Sequence, residues 1–400
     1  MSPGPARAYL LTLLATALCA LGLVAAVQIG VDGLGLYGVR LAPERVLPAR
    51  ARFDAGGDDR MVKALETLRP RGPLDIVFLG SSRMQYAFDP ARLAPRAAYN
   101  AAMRGARVEE NAWTLEALLA QNAPIKRIVW NVDFWEFFGD ESIIPDETKS
   151  PFRHPTPIIG LLRTVFAYDM VRRTLVSFGA AMAGTFRPVF TTDGFVIAEN
   201  IAQRAPPDFE TMPSLRNFFD PALVTQQHRF DAHLDRGLGA MARVLEKAHA
   251  RGVAIDVVLL PEHITRLALY EAAGLWPQWE AWKRAMAALV ARVRAAPGAG
   301  AVAGWDFTQP GPIALTPLSS DRVGDPYFFE TLHVRPAVAD RVMARLDGAA
   351  GVPADFGAPL DEAVSAEAFG KARETLAAWR AAHPAQTADI RALVDRARTP

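Results

Sequence analysis

Four short runs of hydrophobic residues recur between residues 75 and 307, and each ends in a polar or turn-forming residue. They read DIVFLG at 75–80, RIVWNVD at 127–133, VAIDVVLLP at 253–261 and AVAGWDF at 301–307. Runs of this length, rich in β-branched and aromatic residues, are typical of buried strands. The pattern therefore predicts four strands of one sheet.

Between these runs, hydrophobic residues recur at steps of three and four, as on one face of a helix. The clearest example is the set Trp279, Trp282, Met286, Leu289 and Val293, and similar patterns occupy 107–121 and 238–252. Apolar strands that alternate with amphipathic helices indicate a parallel sheet covered on both faces. We therefore predict a three-layer α/β/α domain over residues 73–350.

The N-terminal residues 8–31 carry no charged side chain. A hydrocarbon core of ~30 Å needs about 20 apolar residues, whereas the apolar part of a cleaved signal peptide has only ~7–15. We expect residues 1–31 to form a retained transmembrane anchor, and a long cleaved signal is the alternative. The flanking charges do not favour export of the body, because Arg7 precedes the segment while Arg40, Arg45, Arg50 and Arg52 follow it.

Three further segments show weaker patterns. Residues 32–72 are rich in Gly, Pro and Arg, and they predict a linker with one short helix at 61–68. Residues 140–235 interrupt the alternation of strands and helices, so we expect an insertion or lid there, with one helix at 158–178. The alternating charges of residues 351–400 predict an exposed helical tail.

Composition narrows the choice of partners. The chain has 44 Lys and Arg against 43 Asp and Glu, so no nucleic acid partner is expected. Cys19, the single cysteine, lies in the apolar segment and leaves the body without a disulfide. His228 and His233 have no Cys or carboxylate at ligand spacing, so neither a metal nor a cofactor is expected.

Polar residues follow each predicted strand. The carboxyl ends of parallel strands share one edge of the sheet, where ligands collect, so we expect these residues to lie together. They are Ser81 and Ser82; Asn131 and Asp133; Pro261, Glu262 and His263; and Asp306.

The sequence also offers a base for one of these serines. A serine hydroxyl becomes a nucleophile when a base takes its proton and a third group orients the base. Glu330 and His333 are three residues apart, just before Pro336 at a helix start. This spacing lets Glu330 bind Nδ1 of His333 while Nε2 faces outward, where it can serve a serine elsewhere in the chain. Each feature has an alternative when it is taken alone: GSS after a strand is a common turn sequence, and His333 would be a capping or packing residue. Ser81 is expected to form a hydrogen bond within the turn or to support the start of the helix.

In these residues the chain resembles the SGNH, or GDSL-like, hydrolases and acyltransferases. The resemblance covers roughly residues 73–348 and rests on GSS at 80–82, YNAAMRGA at 99–106 and the late Glu-x-x-His. It implies a flavodoxin-like sheet, Ser82 as nucleophile, and an oxyanion hole formed by the N–H groups of Ser82 and Gly105. The family's Gly-x-Asn-Asp block is WNVD at 130–133 here, so Asn131 is the candidate third donor.

Further residues near the predicted site are candidates for substrate contact: Arg83, Asn100, Arg104, Asp133 and His263. Surface positions or pairing with carboxylates is the alternative for the two arginines, and His263 also competes as a base. The aromatic residues of FWEFF at 134–138 are either a wall for sugar stacking or part of the core.

The anchored build and the GSSR variant look most like membrane-tethered, alginate O-acetyltransferase-like proteins. This resemblance implies an inner-membrane esterase or O-acyltransferase with its body in the periplasm. It also implies a cell-envelope or exported polysaccharide as substrate and an acyl-supplying membrane protein as partner. The second hypothesis is a non-catalytic SGNH-fold subunit that binds polysaccharide or acts as a scaffold.

Overall fold

The computed structural model describes residues 4–53, 59–68, 72–121, 124–139, 147–154, 157–198, 215–216, 219–318 and 326–399. The chain divides into two compact units. The N-terminal unit comprises residues 1–69 and 154–203, and the α/β unit comprises residues 70–153 and 204–400.

Strands and helices are numbered in chain order within the described residues. The strands are β1 Ala51–Arg52, β2 Leu74–Leu79, β3 Ala98–Asn100, β4 Ile125–Asn131, β5 Phe190–Thr191, β6 Ala254–Leu259, β7 Val302–Asp306 and β8 Ala358–Pro359. The first seven helices are α1 Pro5–Val31, α2 Asp59–Leu68, α3 Ser82–Ala87, α4 Val108–Ala120, α5 Pro157–Phe166, α6 Tyr168–Met182 and α7 Ala222–Thr225. The others are α8 Phe230–Ala250, α9 Ile264–Ala273, α10 Trp276–Ala295, α11 Pro336–Leu346, α12 Leu360–Ala363, α13 Ala366–Ala382 and α14 Pro384–Arg398. Short 3₁₀ turns occupy Pro90–Leu93, Phe134–Phe137, Glu147–Lys149 and Gln227–Arg229.

The α/β unit is built on one six-stranded sheet with the order β3-β2-β4-β6-β7-β8. The first five strands are parallel, and β8 pairs antiparallel with β7. The four strands predicted from the hydrophobic runs are confirmed within two residues at each end. The two edge strands were not predicted, because two or three residues are too few to show a period.

Helices cover both faces of this sheet, as predicted. Successive strand residues point to opposite faces: Val77 and Leu79 of β2 join the larger core with α4, α8 and α10. Ile76 and Phe78 join the second core with α3 and α11. Burial on both faces explains why these strands appear in the sequence as continuous hydrophobic runs.

The C-terminal residues are part of the α/β unit, so the prediction of an exposed tail is wrong. Phe369, Leu376 and Trp379 of α13, with Ile390 and Val394 of α14, are buried in the larger core. With Ala372, which is also buried, these residues recur at steps of three and four on one face of each helix. The charges that suggested exposure occupy the opposite faces.

Residues 32–53 do not form a free linker, so the linker predicted at residues 32–72 is corrected for this part. Leu34 and Leu36 are buried with Val62 and Leu65 of α2 and with Met170 of α6. The carboxylate of Asp32 organises the turn, because it accepts hydrogen bonds from the N–H groups of Leu36, Tyr37 and Gly38 at 2.7, 3.0 and 2.8 Å. Because the buried residues of this irregular segment follow no helical or strand periodicity, the sequence pattern does not predict that the segment is packed.

The predicted insertion is divided between the two units. Residues 157–198 lie in the N-terminal unit, residues 219–235 lie in the α/β unit, and residues 140–146 and 199–214 lie outside the described residues. The single helix predicted at 158–178 is two helices, α5 and α6, because the backbone is extended at Ala167. No capping side chain marks this break. The short helix predicted at 61–68 is confirmed as α2.

Helix α1 has 27 residues and is long and apolar enough to span a membrane. Residues 4–23 are exposed along their whole length, whereas Gln28 near the C-terminal end of α1 is buried in the N-terminal unit. The exposed part measures ~30 Å at 1.5 Å per residue, which equals the thickness of a hydrocarbon core.

Candidate active site

The candidate site begins at the sharp turn between β2 and α3. Gly80 has a φ of 148°, and a Cβ there would lie 3.1 Å from the carbonyl oxygen of Asn131. Only glycine fits this close approach of two backbones. Ser81 then caps α3 by accepting a hydrogen bond from the N–H of Arg83 at 3.3 Å, and Ser82 is the first residue of the helix. Its side chain is partly exposed.

Ser82, His333 and Glu330 form a connected chain of hydrogen bonds, as the sequence predicts. Ser82 Oγ lies 2.8 Å from His333 Nε2. His333 Nδ1 is bonded to Glu330 Oε1 on the other side of the ring. The Glu330 carboxylate also accepts the backbone N–H groups of Leu332 and His333 at 2.7 and 2.9 Å. This arrangement can move a proton from the Ser82 hydroxyl to the imidazole.

A narrow backbone turn holds the histidine and the glutamate together. Phe328 and Val334 form an antiparallel bridge, and the N–H of Phe329 donates to the His333 carbonyl at 2.8 Å. The Tyr86 ring stacks on His333 with centroids 4.9 Å apart. Tyr86 is a further residue of the site that no motif predicted. Its signal was its position four residues after Ser82, which places both side chains on one face of α3.

Glu330 is buried, and its pKa reflects two opposing effects. Burial alone would raise the pKa of the carboxyl, but the charge and hydrogen bond of His333, together with the two backbone N–H groups, lower it below the usual range. Glu330 is therefore ionised near neutral pH. An ionised carboxylate fixes the tautomer of His333 and stabilises its protonated form.

Ser81 is committed to a different set of contacts from Ser82. Its hydroxyl donates to Asp133 Oδ2 at 2.7 Å, and the other oxygen of Asp133 binds Arg83 and accepts from Asn131 Nδ2 at 2.8 Å. Ser81 and Asp133 are both buried. The structure therefore distinguishes the two serines: Ser81 holds the turn, and Ser82 faces the base.

Arg83 follows Ser82 in α3 and is only 1% exposed. It donates from Nε to the carbonyl oxygen of Leu332 at 2.9 Å and from Nη2 to that of Leu260 at 3.2 Å; Nη2 also binds the carbonyl of Pro261. Burial would lower the pKa of Arg83, but Asp133 and Glu262 outweigh it and raise the pKa. These contacts give Arg83 a positioning role and do not support the predicted contact with substrate.

Two other predicted residues, Asn131 and Asn100, also hold backbone segments in place. Asn131 accepts the N–H of Leu260 at 3.1 Å while it donates to Asp133. Asn100 Nδ2 donates to the carbonyls of Met84 and Phe88 at 3.1 and 2.8 Å.

His263 caps α9 and has both ring nitrogens within hydrogen-bonding distance of protein atoms: Nδ1 lies 2.8 Å from Thr265 Oγ1, and Nε2 lies 3.1 Å from the Thr316 carbonyl. Its contacts therefore do not support a competing base. No contact tests whether Asn131 donates to an oxyanion, and that role stays a prediction.

The loop that carries Gly105 is hydrogen-bonded directly to the end of β2 and to the turn that precedes Ser82. The N–H of Ala101 donates to the Phe78 carbonyl at 2.9 Å, and the N–H of Met103 donates to the Gly80 carbonyl at 3.1 Å. Gly105 is exposed, has a φ of 62°, and has open space where a Cβ would be. Within the described residues, the N–H groups of Ser82 and Gly105 donate to no acceptor. Arg104 in the same loop is partly exposed.

Asp306 and the aromatic residues of FWEFF lie in or against the core. Asp306 is fully buried and lies 2.5 Å from Lys283 Nζ, so it pairs with α10. Phe134, Phe137 and Phe138 are buried in the larger core, and Trp135 packs against that core. Their position fits the packing alternative and gives no support to a sugar-stacking wall.

No group of three or more His, Cys, Asp or Glu in the described ranges could hold a metal ion. No protein-family model and no curated protein sequence matches the chain.

Proposed function

We propose that this protein is a serine esterase or O-acyltransferase of the SGNH type, with Ser82 as its nucleophile. The observation that carries the proposal is the 2.8 Å contact between Ser82 Oγ and His333 Nε2, with Glu330 bonded to the opposite ring nitrogen. The five parallel strands have the order β3-β2-β4-β6-β7, in which the second strand of the sheet lies at the edge beside the first. This order supports a flavodoxin-like fold of this type.

The reaction follows from the positions of these groups. Ser82 Oγ bonds to the carbonyl carbon of an ester as its proton passes to His333 Nε2. Glu330 stabilises the resulting imidazolium, and the N–H groups of Ser82 and Gly105 donate to the oxyanion. The intermediate collapses, and the leaving alcohol takes the proton from His333. Water or a sugar hydroxyl then bonds to the acyl carbon as its proton passes to His333 Nε2. Collapse of this second intermediate breaks the bond between Ser82 Oγ and the acyl group, and Ser82 takes the proton back from His333.

The proposed setting is the inner membrane, with α1 as a single-pass anchor and the α/β unit in the periplasm. The length and apolarity of α1 support the anchor. The periplasmic side, the polysaccharide substrate and the acyl-supplying membrane partner rest on the resemblance to the alginate O-acetyltransferase-like proteins. A reporter enzyme fused after Pro400 tests the orientation, and activity of a cytoplasmic reporter would contradict it.

A fluorophosphonate probe tests the nucleophile, because it reacts only with an activated serine. We expect the wild type to be labelled and Ser82→Ala not to be. Ser177→Ala serves as a matched control, because Ser177 lies on α6 and takes no part in the site. Ser81→Ala should remain labelled but melt at a lower temperature, since it loses the buried bond to Asp133. Labelling that survives Ser82→Ala would refute the proposal.

The second candidate is a non-catalytic subunit that binds polysaccharide. One observation favours it: the Asn131 amide, which stands nearest to the family's third oxyanion donor, is already engaged with Asp133 and Leu260. Folded wild-type protein that binds polysaccharide but is neither labelled nor active on activated esters would support this alternative.

A further inference from the structure

Exposed hydrophobic side chains are concentrated on three helices of the N-terminal unit. Apart from Val39, Leu41 and Leu315, every large hydrophobic residue that is exposed among the described residues lies on α1, α5 or α6. Soluble surfaces seldom carry a continuous apolar patch of this kind without a partner. The residues on α5 and α6 are Ile158, Ile159, Leu161, Leu162, Phe166, Tyr168, Leu175, Val176 and Met182.

Helix α5 is held with one face inward. Gly160 lies against α2, where an added Cβ would be 2.9 Å from Met61 Sδ. Thr164 and Val165 are also buried. Ile159 and Leu162 lie on the other side of the helix, at 57% and 50% exposure. Contacts within the N-terminal unit therefore fix which face of α5 is left uncovered.

Helix α6 repeats this pattern. Met170, Thr174 and Ala181 are buried, whereas Leu175 and Val176 are 58% and 62% exposed. An amphipathic helix in a soluble unit would place polar residues on its outer face. Here Leu175 and Val176 lie on the outer face, beside an exposed ion pair in which Arg172 Nε lies 3.8 Å from Asp169 Oδ1.

The hydrophobic faces of α5 and α6 adjoin the membrane-length helix. Both helices pack against α1 and against each other. The C-terminal end of α1, from about Val24, is partly buried by the rest of the N-terminal unit, whereas residues 4–23 are exposed. If residues 4–23 fill the hydrocarbon core, the packed end of α1 lies at the membrane surface, and α5 and α6 lie at that same level.

We propose that α5 and α6 form an interfacial hairpin, which lies in the headgroup region of the bilayer around the point where α1 leaves it. Its occupant is lipid, because both of its helices pack against the helix whose length matches the hydrocarbon core. Helices of this type bury their apolar face ~5–10 Å into the boundary between headgroups and acyl chains. Arg163 and Arg172, both exposed, stand at the level of anionic headgroups, which attract basic side chains.

The test uses the full-length protein in vesicles of phosphatidylcholine and phosphatidylglycerol, so that no other protein is present. Cys19 is first replaced by serine, and single cysteines are introduced at Leu162→Cys and Val176→Cys. Each is labelled with an environment-sensitive fluorophore. Both positions are exposed, so labelling removes no core contact. Leu14→Cys on α1 is the membrane control, and Ala378→Cys on α13 is the aqueous control.

We expect the labels at Leu162 and Val176 to emit at shorter wavelength than the label at Ala378. Brominated lipids should quench them, and aqueous iodide should not. If they behave like the label at Ala378 while the label at Leu14 is quenched, the hairpin proposal is overturned and the anchor stands. Labels that are protected in native membranes but exposed to iodide in the vesicles would show a protein partner and would also overturn it. None of these readouts depends on catalysis by Ser82.

Discussion

Arg83 donates from Nε to the carbonyl oxygen of Leu332 at 2.9 Å, so the residue after Ser82 holds the residue before His333. The same guanidinium binds Asp133 after β4 and the carbonyls of Leu260 and Pro261 after β6. One buried side chain thereby joins segments from four parts of the chain. The distance between Ser82 and His333 depends on this junction.

Replacing Arg83 by lysine should separate the contribution of its positive charge from that of its several hydrogen bonds. Lysine keeps the positive charge but cannot make the forked set of bonds. The buried carbonyl oxygens of Leu332, Leu260 and Pro261 would lose donors, and each buried group left unsatisfied should lower the free energy of unfolding by about 1–3 kcal/mol. Probe labelling of Ser82 should also slow under conditions in which the variant is folded. Urea denaturation and the labelling rate measure the two effects.

Arg92→Lys is the matched control for this change. Arg92 makes a forked pair with Asp340 on the surface, where their side chains are 50% and 43% exposed. Exposed pairs contribute about 0–1 kcal/mol, so this variant should retain both stability and labelling. Equal effects of the two substitutions would show that burial of Arg83 is unimportant.

Replacing Glu330 by glutamine should nearly abolish the reactivity of Ser82. Glutamine can remain bonded to His333, but it carries no charge to stabilise the imidazolium and can fix the wrong tautomer. Comparable changes in serine hydrolase triads cost roughly 10,000-fold in rate. The labelling rate measures the effect, and Glu330→Asp, which keeps the charge, should retain more of it. An unchanged rate in Glu330→Gln would exclude Glu330 from the mechanism.

The lowered pKa of Glu330 also predicts how stability depends on pH. A carboxyl whose pKa is lower in the folded state stabilises the fold above its unfolded pKa of about 4.3. That contribution is lost as the pH falls through the lower, folded pKa. The stability difference between wild type and Glu330→Gln should therefore shrink below about pH 4.3. Urea denaturation of both proteins from pH 7 downwards tests this, and a difference that grows on acidification would contradict it.

Gly105→Ala should test the oxyanion hole without a steric clash. A Cβ at Gly105 meets no atom within 4 Å, so the only cost is the positive φ of 62°. Relief of that strain would turn the N–H away, and loss of one oxyanion donor costs roughly 100- to 1,000-fold in rate. Gly105→Asn should be milder, because asparagine tolerates this conformation.

Gly348→Ala provides the control for backbone strain. Gly348 has a φ of 66°, also with no atom near its Cβ, and lies just beyond α11. Its substitution should lower stability by a similar amount but leave labelling of Ser82 unchanged. If both variants label normally, the N–H of Gly105 has no part in the reaction.

The buried pair between Lys283 and Asp306 should behave as one unit in stability measurements. Lys283 Nζ lies 2.5 Å from Asp306 and 4.1 Å from the Trp279 ring centroid. Burial lowers the pKa of Lys283, although the charge of Asp306 opposes this. Asp306→Asn leaves a buried ammonium without its partner and should cost about 3–5 kcal/mol.

The double variant Lys283→Met with Asp306→Asn should recover most of that loss, because it removes the isolated charge. Urea denaturation of the single and double variants gives the coupling energy. Additive losses would show that the two groups do not interact. Labelling of Ser82 in the folded proteins should be unaffected by any of these changes.

Much of the α/β unit was predictable because its local patterns agree with its final structure. Strands buried on both faces must be hydrophobic throughout, and helices that cover them must have apolar residues at steps of three and four. Residues 32–53 and the C-terminal helices were misjudged for opposite reasons. The first bury apolar groups without any period, and the second carry enough charge to hide a narrow buried face.

The four central strands, the membrane-length helix and the residue types of the candidate triad are predictable from composition and spacing along the chain, which are local properties. The tertiary structure adds the contacts themselves: His333 meets Ser82, Ser81 bonds to Asp133, and Arg83 and Asp133 lie behind them. It also decided that α5 and α6 leave hydrophobic faces beside α1. Such relationships join residues far apart in the chain, and packing in three dimensions alone brings them together.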